Sequence, residues 1–208
     1  MNQANIRQYD LRNVASFRIT SEKWGELSNM CAGFPLVVNN TQIRSAEALY
    51  QACRFPSYPE IQKKIIEQNS PMIAKKVTRP YMGDTRGDWM DVRILIMKWV
   101  IRVKLAQNWD TFSKVLLSTN CIDIVEVSSK DDFWGAKPHG DNVYRGVNAL
   151  GRLLMELRLQ MQNNNRENFL HVKPLAIENF FLLGEKIELV RHTDANKYKS
   201  KQKNLFDI

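Results

Sequence analysis

The chain has 208 residues, 44% hydrophobic and 25% charged, with five tryptophans; this composition excludes a largely disordered chain and suffices for one sizeable core, whereas two full domains would be cramped. The formal net charge of +8 suits acidic partners without naming nucleic acid, because a positive surface attracts phosphates over roughly 10 Å at about 0.1 M salt. Cys31, Cys53 and Cys121 lie far apart and, with three histidines, make no zinc spacing, so a reducing compartment is expected.

The opening MNQANIRQYDLRN has no apolar signal core, and no apolar run nears the roughly 18 residues that span a bilayer; a cytoplasmic chain with no membrane partner is expected. Residues 14–44 hold the extended segments VASFRI and FPLVV around the turn-rich WGELSNMCAG. FPLVV runs into NNTQI, which predicts a hairpin turning at Asn39 and Asn40. From Ser45 the pattern becomes helical. Ser45 is the N-cap with Ala48 at N3, so the capping box is half made, and Leu49, Ala52 and Phe55 or Cys53 form an inward stripe.

Pro56 and Pro59 end that helix. EIQKKIIEQN and PMIAKKV are two short helices, the second opened by Pro71, and RPYMGDTRGDWM, with two glycines, reads as a loop. Residues 91–108 carry the strongest helical signal: Val92, Leu95, Ile96, Trp99, Val103 and Ala106 recur every three or four positions, with Arg93, Lys98, Arg102 and Lys104 outside the stripe. TFSKVLLST is a shorter helix and CIDIVEV a strand. VNALGRLLMELRLQMQ is a helix with Leu150, Leu154, Leu157 and Met161 on one face, ended by NNNREN. LAIENFFLLGEKIELV is either a helix-turn-strand or a hairpin, and the last residues, with lysines from Lys197 to Lys203, form an exposed tail. Helices packed with a small sheet, mainly α with a small β element (α+β), is the expected architecture.

Several residues in this frame carry chemistry or structure. Glu47 sits two residues after the cap, where an acid compensates the helix dipole at typically 0.3–1 kcal/mol or, in a cleft, orients water and stabilises cationic charge on a sugar carbon. Asp131 and Asp132 face the same choice between turn formation and catalysis. Trp134 either anchors its polar loop in the core or offers a face to a planar ligand, and Gly135 and Gly140 allow close backbone approach without making a phosphate-loop or dinucleotide fingerprint. Arg54, Arg79 and Arg86 suit phosphate or ordinary salt bridges equally.

The blocks WGELSN at 24–29, RSAEALYQACRF at 44–55, DWM at 88–90, KLAQN at 104–108, LLSTNCIDIVEVSSKDDFWGA at 116–136 and GVNALGRLLMELR at 146–158 together resemble the NADAR family, also called YbiA-like. The resemblance covers roughly residues 14–160. It implies a mainly helical single domain over 1–165, with 166–208 as a C-terminal extension bearing a basic tail. It also implies N-glycosidic chemistry: removal of ADP-ribose from guanine bases of DNA, as antitoxin to a DarT-type toxin, or cleavage of phosphoribosylamino pyrimidine intermediates of riboflavin synthesis. The expected partner is thus ADP-ribosylated nucleic acid or a ribose-phosphate small molecule, with no cofactor and no metal. The family's glutamate falls on Glu47, but its following histidine is Ala48 here and its lysine is Arg54, which cannot form a Schiff base near neutral pH. These departures keep a non-catalytic ADP-ribose or nucleotide-binding module in view. On this resemblance Glu47 and Asp131 are the catalytic residues, and Asn29, Arg44, Arg54, Arg79, Trp89, Trp134, Gly135 and Asn148 bind substrate.

Overall fold

The computed structural model describes residues 5–196; the lysines from Lys197 to Lys203 lie outside them. In chain order the elements are β1 (Arg7–Asp10), β2 (Val14–Phe17), β3 (Leu36–Val38), β4 (Thr41–Ile43), α1 (Ala46–Ala52), α2 (Pro59–Ile66), α3 (Pro71–Val77), α4 (Trp89–Gln107) and α5 (Trp109–Leu117). There follow β5 (Asp123–Glu126), β6 (Lys137–Pro138), β7 (Val143–Gly146), α6 (Ala149–Asn163), β8 (His171–Val172), β9 (Phe181–Leu182), β10 (Glu185–Lys186) and β11 (Val190–Arg191). The fold is mainly helical with small strands. Its described residues form two compact units, one from 5–28 with 110–164 and one from 29–109 with 165–196.

In the first unit β2 pairs in parallel with β5, Ala15 opposite Ile124, and β1, β7 and β6 make a small antiparallel sheet. α6 lies on β5 with Leu150, Leu154, Leu157 and Met161 buried, the face its periodicity predicts. Arg158, buried on the same helix, donates from Nη1 to Thr119 Oγ1 at 2.6 Å and to the Ile122 carbonyl at 2.8 Å. That fixes the turn leading into β5.

The second unit is built around α1 and α4. Ser45 Oγ accepts the Ala48 N–H at 3.2 Å, the cap its sequence predicts. All seven residues of α1 are buried, because α2, α3 and α4 pack around it; a single inward stripe is too narrow a description. α4 departs from its predicted stripe in the same way. Leu95 is 46% exposed, whereas Lys104 is fully buried with its ammonium 4.5 Å from the centre of the Phe34 ring. The helix touches α1, β3, β8, β11 and the 3-10 turn His192–Ala195, so its second half is covered on several sides and one stripe cannot describe it.

The segment expected to be a loop instead contains a 3-10 helix, Arg79–Asp84, and Trp89 and Met90 open α4. β3 and β4 form the expected hairpin, with Asn39 and Asn40 at φ 47° and 56°. Gln107 completes the outer edge of β3: its amide Oε1 accepts the Val37 N–H at 2.7 Å and its Nε2 donates to the Val37 carbonyl at 2.9 Å. Of the two readings of the last segment the hairpin is the one formed, β9 and β10 turning through Leu183 and Gly184.

Candidate functional site

α1 carries a carboxylate into the interior of the second unit. Glu47 is 5% exposed. Its backbone N–H donates to the Asn29 carbonyl at 3.3 Å, and its Oε1 accepts the side-chain amide of Gln51 at 2.9 Å, one helical turn on. Two buried amide oxygens beside this pair, Gln51 Oε1 and Asn29 Oδ1, have no hydrogen-bond partner among the described residues; Asn29 Nδ2 lies 2.9 Å from Met97 Sδ. An unmade buried hydrogen bond costs about 1–3 kcal/mol.

Arg54, half-buried just beyond α1, donates from Nε to Thr85 Oγ1 at 2.9 Å and holds its guanidinium 5.0 Å from the centre of the Trp89 ring. Trp89 in turn packs against Tyr50 at 5.2 Å. Burial lowers the Arg54 pKa, with Arg93 acting in the same direction against the opposing influence of Tyr50. Burial, followed by the Glu47 charge, raises that of the Tyr50 phenol far above its usual range, outweighing Arg93 and Arg54. Tyr50 is therefore a neutral phenol at physiological pH. Arg86 is committed elsewhere: its Nη2 donates to Asp88 at 2.9 Å and to the Glu178 carbonyl at 2.6 Å.

A cavity of about 460 Å³ adjoins this arrangement at Gln51 and Arg54 and is lined with them by Met72, Lys75, Lys76, Thr78, Arg79 and Met82; Glu47 itself is not in its wall. It joins the Glu47 partner, Gln51, to four cations and no acid. Arg54 and Arg79 meet here as phosphate-binding candidates. Lys75 and Lys76 join them although sequence reasoning passed over them, since adjacent lysines at a helix end usually mark a solvated face. Arg44 is exposed between β4 and α1 and is not part of this wall.

Asp131, Trp134, Gly135 and Asn148 belong to the first unit, where they meet in the connection from β5 to α6. Asp131 Oδ1 accepts the N–H groups of Phe133 and Trp134, both at 2.9 Å, and the Asp131 N–H donates to Ser128 Oγ at 2.9 Å. These bonds make an Asx-type turn of SSKDDFWGA. Trp134 is half-buried, edge-on to Phe133 at 5.0 Å, and Asp132 pairs with Lys137 at 3.1 Å. A Cβ on Gly135 would stand 2.4 Å from the Glu126 carbonyl oxygen, so only glycine permits this approach.

Asn148, fully buried at φ 51°, accepts the Glu126 N–H on Oδ1 at 3.1 Å and donates from Nδ2 to the Ile124 carbonyl at 2.8 Å. Both ends of its amide are thus occupied by β5. Among the described residues no group of three or more His, Cys, Asp or Glu gathers to hold a metal ion, and no helix is long and apolar enough to cross a membrane.

Residues 16–162 match the NADAR domain. The chain is 32% identical over 148 residues to N-glycosidase YbiA of Escherichia coli, covering 71% of this chain and 88% of that protein. It is 31% identical over 162 residues to a riboflavin biosynthesis protein of Vibrio vulnificus, covering 77% of this chain and 42% of the relative; it therefore spans less than half of the Vibrio protein. The NMR structure of Escherichia coli YbiA matches with a TM-score of 0.62 and 31% identity, over 73% of this chain and 86% of that one.

Proposed function

The chain belongs to the NADAR family, and from that premise we propose that it is an N-glycosidase hydrolysing a ribosyl C–N bond, with Glu47 as the carboxylate that meets the sugar carbon. The observation that carries this reading is the buried Glu47–Gln51 pair, with Gln51 also lining a cavity that is otherwise rich in cations. As the C–N bond stretches, positive charge grows on the anomeric carbon. A fixed anion with little water around it stabilises that charge far better than one in bulk solvent. Gln51 holds the carboxylate in one rotamer, so little reorganisation is needed during the reaction.

Water is the nucleophile in this scheme. Its oxygen bonds to the anomeric carbon, its proton passes to the Glu47 carboxylate, and the departing nitrogen leaves with the electron pair of the broken bond and takes up a proton from solvent, while Glu47 returns its own to solvent and is regenerated. Ala48 offers no proton-transfer group and Arg54 no amine for an imine at the position of the family's lysine, so the scheme is written as direct hydrolysis.

For the substrate we propose an ADP-ribosyl group on guanine bases of DNA, with an antitoxin role beside a DarT-type toxin. Four cations around one cavity, Arg54, Lys75, Lys76 and Arg79, exceed what a single phosphate needs and suit two. The net charge of +8 favours approach to a polyanion. The second reading, a phosphoribosylamino pyrimidine intermediate of riboflavin synthesis, draws support from the name of the Vibrio relative.

Offering the purified protein both substrates separates these readings. Release of ADP-ribose from DNA, lost in Glu47→Gln, is the expected result. Cleavage of the pyrimidine alone would select the second reading, and undiminished cleavage by Glu47→Gln would overturn the role of Glu47. Binding of ADP-ribose with no cleavage of either substrate would indicate a recognition module, the outcome that Ala48 would explain.

A further inference from the structure

Residues beyond 162 lie outside the NADAR match, yet part of that stretch builds a second cavity, of about 450 Å³, against α4. α4 contributes Leu95, Lys98, Trp99 and Arg102, spaced so that they share one face. β8 and the residues after it contribute His171, Val172, Lys173 and Leu175. The wall is tied together: Trp99 Nε1 donates to the Lys173 carbonyl at 3.0 Å, and its ring meets Phe180 edge-on at 5.0 Å. Arg102 lies 5.9 Å from the centre of the Phe169 ring.

The chemistry of the lining is lopsided. Leu95, Trp99, Val172 and Leu175 make an apolar floor, Lys98, Arg102 and Lys173 a cationic rim with His171 beside them, and no acidic residue is present. Leu95 stays 46% exposed in the middle of α4, a branched apolar side chain left open beside concentrated positive charge. Volume, floor and rim together are those of a small-molecule site, with charge that selects anions.

We propose that this cavity binds a small amphipathic anion, an apolar body bearing a phosphate, sulfonate or carboxylate, at a site separate from the one containing Glu47. The apolar body lies over Leu95 and Val172 while the anionic group meets Lys98, Arg102 and Lys173. The proposal is independent of the glycosidase reading.

Fluorescence titration of the full chain tests it with two dyes sharing one ring system, 8-anilinonaphthalene-1-sulfonate and its uncharged counterpart N-phenyl-1-naphthylamine. The sulfonate is expected to bind with one-to-one stoichiometry and about tenfold more tightly than the neutral dye. Its affinity is expected to fall about tenfold in Lys98→Glu/Lys173→Glu and in Leu95→Glu, with melting temperatures unchanged, and to hold in Lys75→Glu/Lys76→Glu at the other cavity. Lys173→Glu alone, at an exposed position, repeats the test if the double variant folds poorly. Equal affinity for the two dyes, indifference to the Lys98, Lys173 and Leu95 substitutions, or loss in the Lys75/Lys76 variant would each overturn the proposal.

Discussion

Gln51 donates its side-chain amide to the Glu47 carboxylate across one turn of α1, at 2.9 Å, with both side chains buried. If that bond holds the carboxylate for reaction, Gln51→Leu, similar in size but unable to donate, lowers kcat about tenfold. The KM for the same substrate changes little, because Gln51 acts through Glu47. Steady-state kinetics on ADP-ribosylated DNA read the split; a change confined to KM would make Gln51 a binding residue only.

Glu47→Gln keeps the shape and removes the charge. Loss of an electrostatic stabiliser of a transition state costs about 100-fold or more in kcat. The amide oxygen at position 47 still accepts the Gln51 hydrogen bond, so the variant should remain folded. Single-turnover release of ADP-ribose, alongside thermal unfolding, distinguishes this from misfolding.

Lys75 and Lys76 are exposed on the rim of the cation-rich cavity, so reversing their charge is not expected to disturb the fold. Lys75→Glu/Lys76→Glu should raise KM for a diphosphate-bearing substrate about tenfold and flatten its dependence on salt. A ribose monophosphate, which Arg54 can hold alone, should be affected less. Equal effects on both substrates would remove the argument for a second phosphate.

The connection from β5 into α6 has no slack. Asn148→Ala leaves the Glu126 N–H and the Ile124 carbonyl without their partner and should cost about 1–3 kcal/mol. A methyl group at Gly151 would stand 2.2 Å from the Ile124 carbonyl oxygen, so Gly151→Ala should cost about 2–3 kcal/mol or more. Urea unfolding monitored by tryptophan fluorescence measures both.

Burial pushes the Cys53 thiol up to about 12, against a smaller lowering by Arg86, so at pH 8 it is protonated and inert. Cys31 is also buried, whereas Cys121 is exposed. Reaction of the native protein with a chromogenic aromatic disulfide at pH 8 should release one equivalent quickly, and three only after unfolding. Cys121→Ser should abolish the fast phase.

Local signals were readable wherever a side chain satisfies its own backbone. Ser45 announces the start of α1, Asn39–Asn40 the hairpin turn, and the leucines of α6 its packed face. What sequence does not declare is depth. Nothing near Lys104 says that it is buried or that Leu95 is open, because the number of neighbours around α4 is set by β3, β8 and β11, which come from distant positions. The parallel pairing of β2 with β5 is equally non-local. Residue chemistry alone left Glu47 divided between dipole compensation and catalysis, and family blocks were needed to make it the catalytic candidate. Asp131, by contrast, makes the turn that its residue type allows, and the cations at 75 and 76 join Arg79 only through the fold of α3 onto the 3-10 helix after it.

Gln107 imitates a peptide group. By bonding both the N–H and the carbonyl of Val37, it occupies the two backbone groups at the middle of β3 that an extended segment alongside would otherwise bond. One helical side chain thereby takes the place of a neighbouring strand, and a second molecule meeting this edge finds no donor or acceptor at Val37 with which to begin intermolecular sheet growth.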